Sequence, residues 1–495
     1  MLFSTYEFIF FFLPVAFFVY FYLNKKRLTT ASKAWLVFSS LFFYSWWNIA
    51  YLPLILASML FNYVVGSSLT KGNKGNKRPS RKIILISGIV SNVALLGYFK
   101  YADFLIDNIN FVSGAQIDPL NLALPLAISF FTFQQIAYLV DSYKLETHEY
   151  DFLNYAVFVS FFPQLIAGPI VHHKEMMPQF SKNRAKIINY KHILLGMFIF
   201  SIGLFKKVVI ADSLAAWVSA GFDTANTLNF FEAWAVSLSY TFQLYFDFSG
   251  YADMAIGLAL LFNIKLPINF NSPYKALSIQ DFWRRWHMTL SRFLRDYVYI
   301  PLGGNRVGEY RIYFNLLATF VIGGIWHGAG WTFVFWGALH GIAISIQRAW
   351  GLLNIQIWPW LSWLITFNFV NITWVFFRAN EWSDAIKVLR GMFDFNSIVI
   401  PGGNRLSQII PDKYLGSMAD LAPHIKADVT IIYWILCSAV IALFFKNSIQ
   451  VINYPELIEA KSISTIKLAA YAILLLIGLA AISLQGYTEF IYFNF

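Results

Sequence analysis

Apolar runs of about 20 residues, the length that spans a bilayer as an α-helix, recur from one end of this sequence to the other. No other feature limits the fold so tightly. The hydrocarbon core holds no water to satisfy an open backbone, so a chain built of such runs must be helical wherever it meets lipid. Of 495 residues, 58% are hydrophobic and 13% are charged, against about 25% charged in soluble domains. The chain therefore reads as an all-α polytopic membrane protein, with one membrane domain. Its 51 Phe, 27 Tyr and 17 Trp exceed what two interfacial belts need, so many must pack between helices.

Spans are expected at Glu7–Leu23, Trp35–Trp47, Tyr51–Leu69, Ile83–Tyr98, Leu120–Val140, Phe152–Val171 and Ile193–Ile210. More follow at Phe230–Tyr245, Ala252–Leu266, Tyr313–Ile322, Thr332–Ala349, Ile357–Phe377, Ile431–Phe445 and Ile466–Leu484. Glu7–Leu23 follows no basic region and no small-residue cleavage site, so it reads as a retained span rather than a removed signal. Pro163 and Pro169 bracket a segment expected to be kinked or re-entrant. The domain divides into N-terminal spans (1–140), a motif-rich core (141–378), a polar stretch (379–428), and C-terminal spans with an aromatic tail (429–495).

The connectors Asn24–Arg27 and Lys71–Lys82 are basic, and the second has no acidic residue. Both are expected in the cytoplasm. The excess of 37 basic over 26 acidic residues, +11, fits this topology and contact with anionic lipid rather than nucleic acid. The single cysteine, Cys437, excludes an internal disulfide and reads as a packed small residue. No phosphate-binding loop, dinucleotide fingerprint, Gly-x-Ser-x-Gly elbow or His-Glu-x-x-His pair occurs. Nothing therefore supports ATP-driven transport or a serine or zinc hydrolase. No metal and no bound cofactor are expected.

What remains is histidine chemistry at membrane depth. His327 stands in Gly323–Trp331 between two apolar runs, with Gly324 and Gly328 expected to leave its ring uncrowded. An intramembrane ionisable residue is a functional candidate by default; the other reading is a tie between two helices. His287 lies in Asp281–Arg306, a segment too charged for a lipid-facing span. On one helix Trp283, His287 and Ser291 share a face, Asp281 pairs with Arg285, and Arg292 pairs with Asp296. Asp247 and Asp253 must be paired, solvated or protonated at their depth, and pairing is the simpler reading. His340, 13 residues beyond His327, points elsewhere on an unbroken helix and reads as a supporting residue. His172 and His173 read as interface residues. Trp382, Ile386, Leu389 and Phe393 make one helical face, either interfacial or covering the bundle.

Phe162–Ile170, Asp247–Asp253, Asn269–Tyr274, Asp281–His287, Arg295–Arg306, Trp326–Gly328 and Phe376–Ala379 together resemble the membrane-bound O-acyltransferases. The branch is that of the bacterial alginate O-acetyltransferase membrane subunits, with relatives acting on peptidoglycan and teichoic acid. The resemblance implies about eleven spans plus re-entrant helices around a central funnel or tunnel. It implies that His327 is the catalytic histidine and His287 the second site histidine. Trp283, Ser291, Trp326, Asp247, Asp253 and His340 are further candidates, for lining the substrate path.

An O-acyltransferase of the bacterial inner membrane is the expected function. It would take an acyl group from a cytoplasmic thioester, acetyl-CoA first among them, and pass it to hydroxyls of an exported polysaccharide such as alginate. Soluble partner proteins outside the membrane would complete the transfer. His327 would act as general base. The competing class is a polysaccharide or donor channel whose histidines relay protons. The tail Phe490–Phe495 has four aromatic residues in six positions. It reads either as an interfacial anchor or, as the resemblance implies, as a carrier whose Tyr492 accepts the acyl group.

Overall fold

The computed structural model describes residues 1–71, 78–147, 149, 151–398, 400–401, 415–416, 421–425, 430–452, 465–485 and 490–491. These are overwhelmingly helical; the only strand pairing among them joins Ile400–Pro401 to Leu415–Gly416. Among the described residues, five helical segments are long and apolar enough to cross a membrane: Glu7–Lys25, Tyr51–Thr70, Ser80–Ser113, Tyr190–Thr224 and Pro359–Arg378. Large apolar side chains such as Phe10, Phe18, Phe38, Phe111 and Trp358 face outward, the arrangement a lipid solvent selects.

The centre of the bundle is one helix, Phe230–Leu261. Its residues from Leu244 to Leu261 are all buried. The sequence reading divides this stretch into two spans, Phe230–Tyr245 and Ala252–Leu266, around Ser249-Gly250. The structure runs straight through. A capping box of Asn229 and Glu232 starts the helix, and nothing in its interior breaks it. Gly250 serves contact instead of a turn. The Tyr190–Leu204 helix lies antiparallel alongside, and the glycines meet in pairs, Gly196 with Gly257 and Gly203 with Gly250. A Cβ at any of the four would collide with the facing backbone. Close backbone approach through small residues holds helices together where lipid removes the hydrophobic drive.

Two other expected spans are broken. Phe152–Val171 contains the helices Phe152–Ser160 and Phe162–Leu165, separated at Phe161. In Leu120–Val140 only Ile128–Tyr143 is helical. The Trp382–Phe393 helix packs on Phe230–Leu261 through Ala385, Val388, Gly391 and Met392. Trp382 and Phe393, read from the sequence as its apolar face, are exposed. Cys437 is likewise exposed on its helix rather than packed.

Candidate active site

His327 is the last residue of the Glu309–His327 helix. The chain turns through the extended Gly328 and returns as Trp331–Leu352. The two helices pack backbone to backbone, because a Cβ at Gly324 would meet the Phe333 carbonyl and one at Gly337 the Phe320 carbonyl. The glycines therefore permit the hairpin and do not clear space for the imidazole; the Phe333 ring covers Gly328 as well. The His327 ring is buried and boxed by Trp326 (centroids 4.9 Å apart), Phe377 (5.0 Å) and Trp336 (5.2 Å).

His287 is not on a helix face. The helix Ile279–Arg285 ends, Trp286 is extended, and His287 sits at φ 43° before Met288–Leu294 begins. A left-handed backbone at a residue with a side chain is strained and must be held from outside. Asn269 does the holding. Its Oδ1 accepts from the Thr289 N–H (3.2 Å) and the Thr289 hydroxyl (3.0 Å), and lies 3.1 Å from His287 Nδ1. An oxygen facing those donors requires His287 Nδ1 to carry the hydrogen, so the neutral ring keeps its lone pair on Nε2. Met288 N–H also bonds the Asn269 carbonyl (3.0 Å). In the sequence Asn269 is marked as a site residue only by its place in the Asn269–Tyr274 motif.

Trp326 contacts both histidines, with its ring 6.3 Å from His287 and 4.9 Å from His327. Phe133 stacks on Trp326 at 5.0 Å. Two buried imidazoles thus lie against one indole.

His340 has a different job. Trp283 Nε1–H donates to its Nδ1 (3.1 Å), so Nε2 carries the hydrogen and meets the Thr373 hydroxyl (3.1 Å). Both nitrogens are spent tying three helices together. Because the chain turns at Gly328, His327 and His340 are not on one helix; Trp336 stands between them.

Residues 2–380 match the membrane-bound O-acyltransferase family. The chain belongs to that family. It is 48% identical to a peptidoglycan O-acetyltransferase of Helicobacter pylori, across 100% of this chain and 98% of that one. A probable alginate O-acetylase of Pseudomonas aeruginosa is 41% identical, covering 82% of this chain and 77% of that protein. A teichoic acid D-alanyltransferase of Streptococcus thermophilus is 29% identical over 51% of this chain and 68% of its own length. The protein is an acyltransferase and a multi-pass membrane protein.

In this acyltransferase Asp247 and Asp253 are paired, and the partners are lysines. Lys206 Nζ lies 2.6 Å from Asp253, which also accepts from Ser448 (2.6 Å). Lys207 Nζ bridges Asp212 and Asp247, each at 2.7 Å. A π-helical turn, Phe205–Ala211, lets two consecutive lysines both reach the Phe230–Leu261 helix. The sequence signal for this site is two cations inside an apolar run. The other carboxylate oxygen of Asp247 accepts the Ile491 N–H (3.0 Å). Phe490 is buried and stacks on Tyr251 at 4.5 Å. Tyr492 itself lies outside the described residues.

Ser291 and Trp283 line a cleft of about 540 Å³ with Arg284, Arg292, Arg295 and Thr319. Asp281 pairs with Arg285 as expected (2.8 Å). Arg292 pairs with Glu175 (2.7 Å) rather than with Asp296, which Arg295 engages (2.7 Å). His172 and His173 are buried. His172 Nδ1 lies 3.0 Å from the Tyr297 hydroxyl, which donates to Asp141 (2.8 Å), and His173 lies 3.3 Å from Glu149.

Proposed function

We propose that this enzyme transfers an acetyl group from a cytoplasmic thioester, acetyl-CoA, to hydroxyls of a cell-envelope glycan, working in the bacterial inner membrane with partner proteins outside it. His327 takes the proton of the attacking hydroxyl while the oxygen adds to the thioester carbonyl. The thiolate then leaves and recovers that proton from the imidazolium, giving an ester and a free thiol. The observation that carries this reading is the pair of buried histidines packed against Trp326 in a chain of this family. With its Nδ1–H directed at Asn269, His287 offers an acceptor at Nε2. That favours orienting the hydroxyl over binding the carbonyl.

Two further arrangements support transfer across the membrane. The arginine-lined cleft suits an anionic donor. Its Arg295–Tyr299 rim lies at the same end of the Ile128–Tyr143 helix as Arg81: Tyr297 bonds Asp141, and Arg81 bonds the Tyr143 carbonyl (2.7 Å). Arg81 belongs to the basic connector expected in the cytoplasm. Phe490, at the start of the tail, lies toward His287. Phe490 packs near Phe248 (6.0 Å), whose edge meets His287 (4.7 Å). Tyr492 follows directly, so its phenol is the proposed first acceptor. His327 deprotonates it, and the acetyl group rests there as a phenyl ester. A glycan hydroxyl then attacks the ester and passes its proton to the departing phenolate, which leaves more readily than a sugar alkoxide. Identity favours peptidoglycan as the first glycan to try, ahead of the alginate expected from the sequence.

The test is purified protein given acetyl-labelled thioester and glycan fragments with the partner fraction. Label should move, His327→Ala should abolish movement, and Tyr492→Phe should stop glycan labelling. A protein acting only as a channel would move no label from thiol to oxygen.

A further inference from the structure

Between Lys82 and Asp103 the chain carries one charge, Lys100, inside the apolar segment Ser80–Ser113. A cation there is costly unless something specific receives it. All three of its donors are received. Lys100 Nζ donates to the carbonyls of Trp326 (2.6 Å) and His327 (3.0 Å) and to the Ser129 hydroxyl (3.3 Å). The neighbouring Tyr101 hydroxyl donates to the Ile325 carbonyl (2.5 Å).

These carbonyls are not arbitrary. The last four C=O groups of an α-helix have no partner within it, and Glu309–His327 ends at His327. Residues 325, 326 and 327 supply three of those four. Gly328 continues extended rather than closing the helix with a left-handed turn. Side chains from another helix therefore do what a local cap would do. A π-helical turn, Gly97–Tyr101, brings two consecutive residues to one helix end. The ammonium also meets the negative end of the helix dipole.

We propose that Lys100 is a positioning residue for His327: with Tyr101 it caps the helix that ends in this histidine and so fixes where the imidazole stands against Trp326 and the substrate. This rests on the reading of His327 as the base. The cap is geometrically separate from substrate contact, because every donor of Lys100 is engaged by protein. Loosening it frees the last turn, and a displacement of about 1 Å at a reacting group costs on the order of a hundredfold in rate.

The experiment compares Lys100→Met, Lys100→Arg and Tyr101→Phe in full-length protein in nanodiscs, by acetyl transfer and by hydrogen exchange over residues 320–331. Lys100→Met should speed exchange in that segment and lower kcat by about 10- to 100-fold, with KM for the thioester unchanged. Lys100→Arg, which keeps charge and donors, should restore most of kcat. Tyr101→Phe should have a smaller effect of the same kind. Where Lys100→Met does not accumulate, Lys100→Gln, which keeps amide donors without the charge, takes its place. Wild-type kcat in the neutral variant, or a loss confined to KM, overturns the proposal. So does exchange that does not change. If His327→Ala remains active the base assignment fails instead, and the exchange result still reports whether the cap exists.

Discussion

Two of the polar sites buried in this bundle are built on opposite rules. Around Lys206, Lys207, Asp212, Asp247 and Asp253 each charge meets its opposite at 2.6–2.7 Å. Around His287 and His327 the neighbours are aromatic edges and neutral amides, together with one lysine that holds backbone carbonyls. The first site closes on itself, so its work is to lock the Tyr190–Thr224 segment and the tail to the central helix. The second packs its imidazoles against aromatic rings, surroundings that suit the proton transfer proposed for His327. A buried ion pair needs compensating charge, whereas the base proposed at His327 needs surroundings in which it can take and return a proton.

Removing a member of each site tests that contrast. His327→Ala should cost about 10²–10⁴ in kcat, the range for a general base, with detergent melting close to wild type. A large fall in melting with residual activity would make His327 structural and erase the difference between the sites. Asp253→Leu strands the Lys206 ammonium, which should cost about 3–5 kcal/mol of stability. Adding Lys206→Met should recover much of it. A single variant that melts like wild type would show that the pair is not a lock.

Asn269→Ala sharpens the comparison from the other side. It removes the acceptor that sets the His287 tautomer and its left-handed backbone, and kcat should fall by about tenfold, the lower part of what positioning is worth. Unchanged kcat would free His287 from any role in orienting the hydroxyl. His340→Phe should give the smallest effect. It leaves the Trp283 indole and the Thr373 hydroxyl without their partner at about 1–3 kcal/mol. Melting should fall while kcat stays near wild type; a loss of kcat with melting intact would move His340 into the chemistry.

The histidines were legible as candidates because ionisable residues in apolar runs are rare, and each lay in a motif of its own. Their surroundings were not. A helical reading of Trp283, His287 and Ser291 fails at Trp286, where the chain leaves the helix. That break is enforced by Asn269, 18 residues away in sequence. The glycines beside His327 were legible as important, but for the wrong reason, since the helix they admit begins only at Trp331.

By itself the sequence determined the class of solvent, the helical class of the fold and the family, because hydropathy and motif content are sums over local residues. Only the tertiary structure decided which polar groups meet. Lys206 finds Asp253 47 residues on, Ile491 finds Asp247 244 residues back, and Lys100 reaches the His327 carbonyl across 227. In a medium that offers no water, a buried charge is costly until it meets a partner somewhere in the fold. Which one it finds depends on how helices cross, and no local stretch of sequence carries that information.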